Sequence, residues 1–202
     1  LDSYLYDFEQ RRTPKQLCDF VEAVKEWVNQ NELKNGILRT EGKYKYFVDE
    51  IIPLSRYCIA TFDESFEILP VIGNQGYDAE VYQNNFHLFN IEIVYPHDGI
   101  ERARDAMKFI KTGIGGFKIS KPTLLHKQFD IIRAACESKS KKDYSDSVLL
   151  FNIKTGAVHP DQEKSFDLVM GEVVQLINGF KFKAKRVAIL FNPFGRVVEL
   201  KT

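Results

Sequence analysis

After Thr13-Pro14, the apolar residues Leu17, Phe20, Val21, Val24, Trp27 and Val28 recur at helical spacing. Thr is a good N-cap and Pro a good first helical residue, so a helix is predicted over roughly 14–30, ending near Asn35-Gly36. Five short β-like segments follow: Tyr44–Ile52, Arg56–Asp63, Phe66–Ile72, Tyr77–Tyr82 and Phe86–Tyr95. Turn residues separate them, Gly73-Asn74-Gln75-Gly76 and Gln83-Asn84-Asn85 among them, and this predicts an antiparallel meander. Beyond Asp98-Gly99 the period becomes helical through Ile100, Ala103, Met107 and Ile110, stopping at Thr112-Gly113. A second helix follows Pro122 and runs out into Ser138-Lys139-Ser140-Lys141-Lys142, after which Val148–Ile153 reads as a strand. The end repeats the pattern with a helix from Pro160 through Ile177, a strand Arg186–Asn192, a turn Asn192-Pro193-Phe194-Gly195 and a strand Val197–Lys201. A meander extended by strand-helix-strand crossovers predicts an α/β fold with a mixed central sheet flanked by helices. No linker, low-complexity block or repeat interrupts the 202 residues, so 1–202 is expected to be a single domain.

Composition narrows the class. With 44% apolar residues the chain suits a globular fold, and its longest apolar runs, such as Val187–Phe191, fall far short of the roughly 20 residues that span a bilayer. No membrane association is expected. The first residues, Leu1-Asp2-Ser3-Tyr4, have neither the basic segment nor the apolar core of an export signal. Cys18, Cys58 and Cys136 lie too far apart for a disulfide framework or a metal-ligand spacing, so they read as small buried apolar side chains in a reducing, cytoplasmic setting. The formal charge is zero but segregated. Residues 1–100 hold 9 Lys and Arg against 17 Asp and Glu, net −8, and residues 101–202 hold 19 against 11, net +8. Such asymmetry suits an acidic metal site beside a polyanion track, or averages out if the halves intermix in space.

Several chemistries lack support. The run Thr112-Gly113-Ile114-Gly115-Gly116 follows a helix instead of a strand, so it does not offer a phosphate cradle. His87, His97, His126 and His159 share no zinc spacing, and no nucleophile elbow occurs. What remains is a carboxylate pair on adjacent strands, Asp78 at the start of one and Glu92 inside the next. Alternation places Asp78 with Glu80 on one face, and Asn90 with Glu92 on one face of the partner. Glu92 stands in an apolar strand, where burial of a carboxylate needs compensation. A shared divalent cation would supply it, as would a solvated edge or a nearby Lys.

These pieces resemble the PD-(D/E)xK nuclease superfamily, with its restriction-endonuclease-like core of helix, three-stranded meander, helix and strand. The resemblance is carried by Tyr77-Asp78, by Phe89-Asn90-Ile91-Glu92-Ile93-Val94, by the helix ending Lys139-Ser140-Lys141-Lys142-Asp143-Tyr144, by Val148–Ile153 and by Arg186–Phe191. It spans about residues 14–192 and implies an αβββαβ core with an added αβ unit. It implies Asp78 and Glu92 as ligands of Mg2+ or Mn2+, with an acidic residue of the first helix, Glu26 or Glu22, as an optional third. It further implies hydrolysis of phosphodiester bonds in DNA or RNA, or, in a member that has lost catalysis, a nucleic-acid or protein interaction module. The family places a catalytic Lys two residues after the Glu, and here that residue is Val94. Lys127, on the helix after Pro122, or His97, just after the Glu92 strand, would have to serve instead. Lys139, Lys141 and Lys142 would meet nucleic-acid phosphates, and a homodimer would suit double-strand cutting. The alternating Lys and Phe residues of 180–185 fit either a phosphate track or an amphipathic strand with one solvated face.

Overall fold

The computed structural model of the chain describes residues 7–30, 45–73, 75–96, 121–154, 163–192 and 195–200. By its contacts the chain divides into two compact units, Leu1–Ile93 and Val94–Thr202.

The first unit opens with helix α1, Pro14–Gln30. Its start is a reciprocal cap: the Gln16 N–H donates to Thr13 Oγ1 (3.4 Å) and the Thr13 N–H donates to Gln16 Oε1 (3.1 Å). Glu64 reinforces it, accepting from the Thr13 hydroxyl (2.5 Å) and the Lys15 N–H (3.0 Å), so a carboxylate sits against the positive end of the helix dipole. Leu17, Val21 and Val24 form the buried stripe, and α1 packs against α2 and β1.

The next segment departs from the prediction. Where strands are expected over Tyr44–Ile52 and Arg56–Asp63, Phe47–Ile51 forms a π-helical turn that runs directly into helix α2, Ile52–Thr61. Phe47, Ile51, Leu54 and Cys58, spaced by four, three and four, are all buried, and that helical face outweighs the strand preference of the local Phe, Val, Ile and Tyr residues. Pro53 has no N–H, and in a regular α-helix its ring would strike the carbonyl of Asp49. The wide turn absorbs this, with the Ile52 N–H donating to Phe47 O five residues back. Phe8 stacks on Phe47, with ring centroids 5.8 Å apart, and meets Phe20 edge-on.

Strands β1 (Phe66–Pro70), β2 (Ala79–Gln83) and β3 (Phe86–Val94) form the predicted antiparallel meander. The β2–β3 hairpin closes through Asn84 and Asn85, both at positive φ (51° and 64°), as a two-residue turn matched to strand twist requires. Pairing shifts from Val81↔Phe89 to Tyr82↔His87, which leaves Leu88 as the extra residue of a β-bulge. Ala79, Val81, Phe89, Ile91 and Ile93 are buried.

The second unit contains α3 (Lys121–Ser140), β4 (Asp143–Lys154), α4 (Glu163–Asn178), β5 (Lys183–Asn192) and β6 (Arg196–Leu200). β4 and β5 run parallel across the α4 connection, and β5 and β6 run antiparallel through a turn whose Gly195 lies at φ 66°. The pairing is therefore mixed, and the chain is α/β as predicted. Val148–Phe151 and Val187–Phe191 are buried without a break, the pattern of strands covered on both faces. Ile132, Cys136, Phe166, Val173 and Ile177 pack with them. Among the described residues no helix is long and apolar enough to cross a membrane. Cys58 and Cys136 are buried as expected, with burial pushing the Cys136 thiol up to about 12, whereas Cys18 is only half-buried. The helix predicted after Asp98-Gly99 and the glycine run at 113–116 lie outside the described residues.

Candidate functional site

The carboxylates singled out from the sequence sit on facing residues at one end of the β2–β3 hairpin. Ala79 pairs with Ile91, and one step outward the Asp78 N–H donates to Ile91 O (2.8 Å) while Asp78 Oδ2 accepts the Ile93 N–H (2.6 Å). The Asp78 carboxylate therefore lies against the backbone flanking Glu92, whose side chain is half-buried. A third carboxylate joins them from the helical side. The Glu50 carboxyl, in the π-helical turn, is pushed up to about 8, first by burial, then by the negative charges of Asp78 and Asp49 and, more weakly, Glu92. Lys45, in the turn before, acts in the opposite direction. Asp49 itself is buried at 7% exposure.

Glu50 and Lys45 are absent from the sequence-derived candidates, because the segment carrying them reads as a strand. The signal was the Phe47, Ile51, Leu54, Cys58 spacing, which makes Asp49 and Glu50 helical residues. Glu26, the helical carboxylate expected as third ligand, is exposed on α1, and Glu22 is exposed and paired with Lys25 at 2.5 Å. The helical carboxylate coupled to Asp78 and Glu92 is Glu50 instead.

Val94 occupies the position where the resemblance calls for Lys. It is 4% exposed and packs in the apolar cluster of Ile132, Cys136 and Tyr144, a setting with no place for a charged side chain. Lys127 is half-buried on α3 in the second unit, and His97 lies outside the described residues. Lys139 lies over the Tyr144 ring at 5.4 Å, while Lys141 and Lys142 are exposed in the turn between α3 and β4. Along 180–185 the Phe residues are half-buried and Lys181, Lys183 and Lys185 exposed, which is the amphipathic pattern. Lys183 pairs with Asp143, and with the Ser145 N–H and hydroxyl it holds that carboxyl down to about 2.

The same hairpin carries a second polar group. Glu80 accepts hydrogen bonds from the Tyr77 and Tyr82 hydroxyls (2.9 and 2.5 Å), which lower its pKa, and Arg11 stacks over the Tyr82 ring at 3.5 Å. Next to it, His87 Nε2 lies 2.9 Å from Asn90 Oδ1, a contact the bulge makes by turning His87 onto the Asn90 face. Glu80 is thus held in a local network, whereas Glu50 shares its surroundings with other carboxylates. Among the described residues no three His, Cys, Asp or Glu side chains form a ready-made metal-ion cage. Comparison of the chain with protein-family models, with curated proteins and with solved structures finds no match.

Proposed function

We propose that the chain is a metal-dependent nuclease that hydrolyses phosphodiester bonds in DNA or RNA through a restriction-endonuclease-like core. Asp78 and Glu92 would hold Mg2+ or Mn2+, and Glu50 would have to move toward them to join the donor set. The observation that carries this reading is the Asp78 carboxylate, bonded to the Ile93 N–H beside Glu92, with the Glu50 carboxyl of the preceding helix electrostatically coupled to both. Hard carboxylate oxygens are the donors these ions prefer, and a half-buried carboxyl crowded by negative charge gains most from a cation. A bound ion would supply Lewis acidity toward a phosphodiester oxygen and a more acidic water. Glu50 would give up its proton on binding, because the cation favours its charged form. Lys45, whose charge Glu50 feels, would offset charge where Val94 cannot, and that coupling supports it over Lys127. Exposed Lys141 and Lys142, with Lys139, would contact phosphates.

Calorimetry with Mg2+ and Mn2+, run in buffers of different ionisation enthalpy, tests this alongside plasmid nicking. Wild type should bind a divalent ion with proton uptake by the buffer, and Asp78→Asn and Glu92→Gln should each lose binding and nicking. Glu50→Gln should remove the proton release. Binding without nicking would favour the second reading, a catalytically inactive interaction module, for which the burial of Val94 speaks. No ion binding, with nucleic acid or without it, would overturn the proposal.

A further inference from the structure

The second unit has a concavity that the nuclease reading leaves unused. Helix α4 ends at Asn178, where the Gly179 N–H donates to Gln175 O (3.1 Å) and Leu176 O (3.3 Å), and the Phe180 N–H donates to Ile177 O (3.1 Å). This tight exit folds Phe180 back toward the helix and leads the chain through Lys181 and Phe182 into β5. Ile177, Phe180, Phe182, Val187 and Leu200 wall a pocket of about 400 Å³, with Asn178 and Lys181 as its polar members.

Three features give the pocket a chemistry. Its volume lies in the range of small-molecule sites, and its lining is apolar with few polar groups, as such sites are built. Ile177 and Val187 are fully buried behind it, but Phe180, Phe182 and Leu200 are only half-buried, so an apolar guest would remove further surface from water. The neighbouring cations are engaged, Lys183 with Asp143 and Arg186 with Glu199 at 3.7 Å, while Lys181 makes no ion pair with a described residue. We infer that this pocket binds a small aromatic carboxylate, its ring between Phe180, Phe182 and Leu200 and its charge toward Lys181. The alternating Lys and Phe of this segment then have separate tasks: the Phe side chains form the wall, and one Lys selects an anion.

Fluorescence titration with 1-anilinonaphthalene-8-sulfonate, followed by displacement with 2-naphthoate and with the uncharged 2-naphthalenemethanol, tests the inference on the full chain. A single saturable site is expected, with naphthoate displacing the dye at roughly three- to fivefold lower concentration than the alcohol, the scale of one exposed ion pair. Lys181→Met should erase that preference and keep the dye site. Leu200→Trp, with folding checked by circular dichroism, should fill the pocket and abolish binding. If Leu200→Trp fails to fold, Lys181→Met decides alone. Absence of saturable binding in wild type, a preference that survives Lys181→Met, or undiminished binding by a folded Leu200→Trp would each overturn the inference. None of these readouts involves Asp78 or Glu92, so failure of the nuclease proposal leaves this one standing.

Discussion

The β2–β3 hairpin of the first unit and the β4–β5 pair of the second are built from similar amounts of Val, Ile, Leu and Phe, yet they treat polar residues differently. Its strand β2 alternates: Ala79 and Val81 point into the core, while Asp78, Glu80 and Tyr82 take the other positions and make side-chain contacts. The parallel pair does not alternate, and from Val148 to Phe151 and from Val187 to Phe191 every residue is buried. Its charged residues are confined to ends and turns, as at Asp143, Lys183 and Arg186. The partly open face of β2 has room for polar side chains, whereas the covered middles of β4 and β5 admit little beyond packing and the buried Asn152. Where chemistry can occur is thus decided by topology before residue type.

Mutations that exchange these roles should break the comparison. The largest effect is expected for Val94→Lys, which supplies the Lys that the resemblance calls for but places a charge in the cluster of Ile132, Cys136 and Tyr144. A lysine buried there would be destabilised on the order of 5 kcal/mol, measured by urea unfolding, against less than about 1.5 for Val94→Met. Phe151→Ala, in the middle of β4, should cost about 3–5 kcal/mol by the same measurement, through lost burial and a cavity.

A smaller effect of opposite sign is expected for Glu50→Gln. Below its ordinary value of 4.5 the Glu50 carboxyl is protonated in both folded and unfolded chains. As pH rises from there toward about 8 the folded chain keeps the proton that the unfolded chain releases, so wild-type stability falls across this window. Gln has no such dependence. Unfolding measured at about pH 5 and about pH 8.5 should show Glu50→Gln near wild type at the lower value and more stable by roughly 1–2 kcal/mol at the higher, after allowance for solvent screening at a partly exposed group. On the proposed ion site, saturating Mn2+ should reverse the order, since binding would return to wild type what repulsion takes away. The smallest effect is Thr13→Ala, which removes the α1 cap and its link to Glu64, at about 1 kcal/mol in thermal unfolding.

Much of this was legible in the sequence because local and tertiary signals agree. Thr13-Pro14 starts α1, Asn84-Asn85 turns the hairpin, and the placement of Asp78 and Glu92 on neighbouring strands follows from that turn. Glu50 was not legible, because Tyr46, Phe47, Val48, Ile51 and Ile52 have the composition of a strand and Pro53 reads as a break. Short apolar runs are ambiguous between strand and buried helix. The packing of Phe8 on Phe47 and the burial of Ile51 and Leu54, which resolve the ambiguity, depend on residues distant in the chain. Glu26 drew attention for the converse reason: a correctly predicted helix says which residues share a face, but not which face meets the strands.

The π-helical turn at Phe47–Ile51 also alters how this helix counts its residues. One residue beyond the α-helical repeat has been accommodated within it, so residues before and after the turn are offset by about 100° of rotation relative to an unbroken helix. Removal of one residue there would restore the regular repeat and swing one half against the other. Either the apolar face through Leu54 and Cys58 or the carboxylate of Glu50 would then leave its present direction. The inserted residue therefore lets Phe47 on one side and Leu54 and Cys58 on the other reach the core in separate phases, with Glu50 between them.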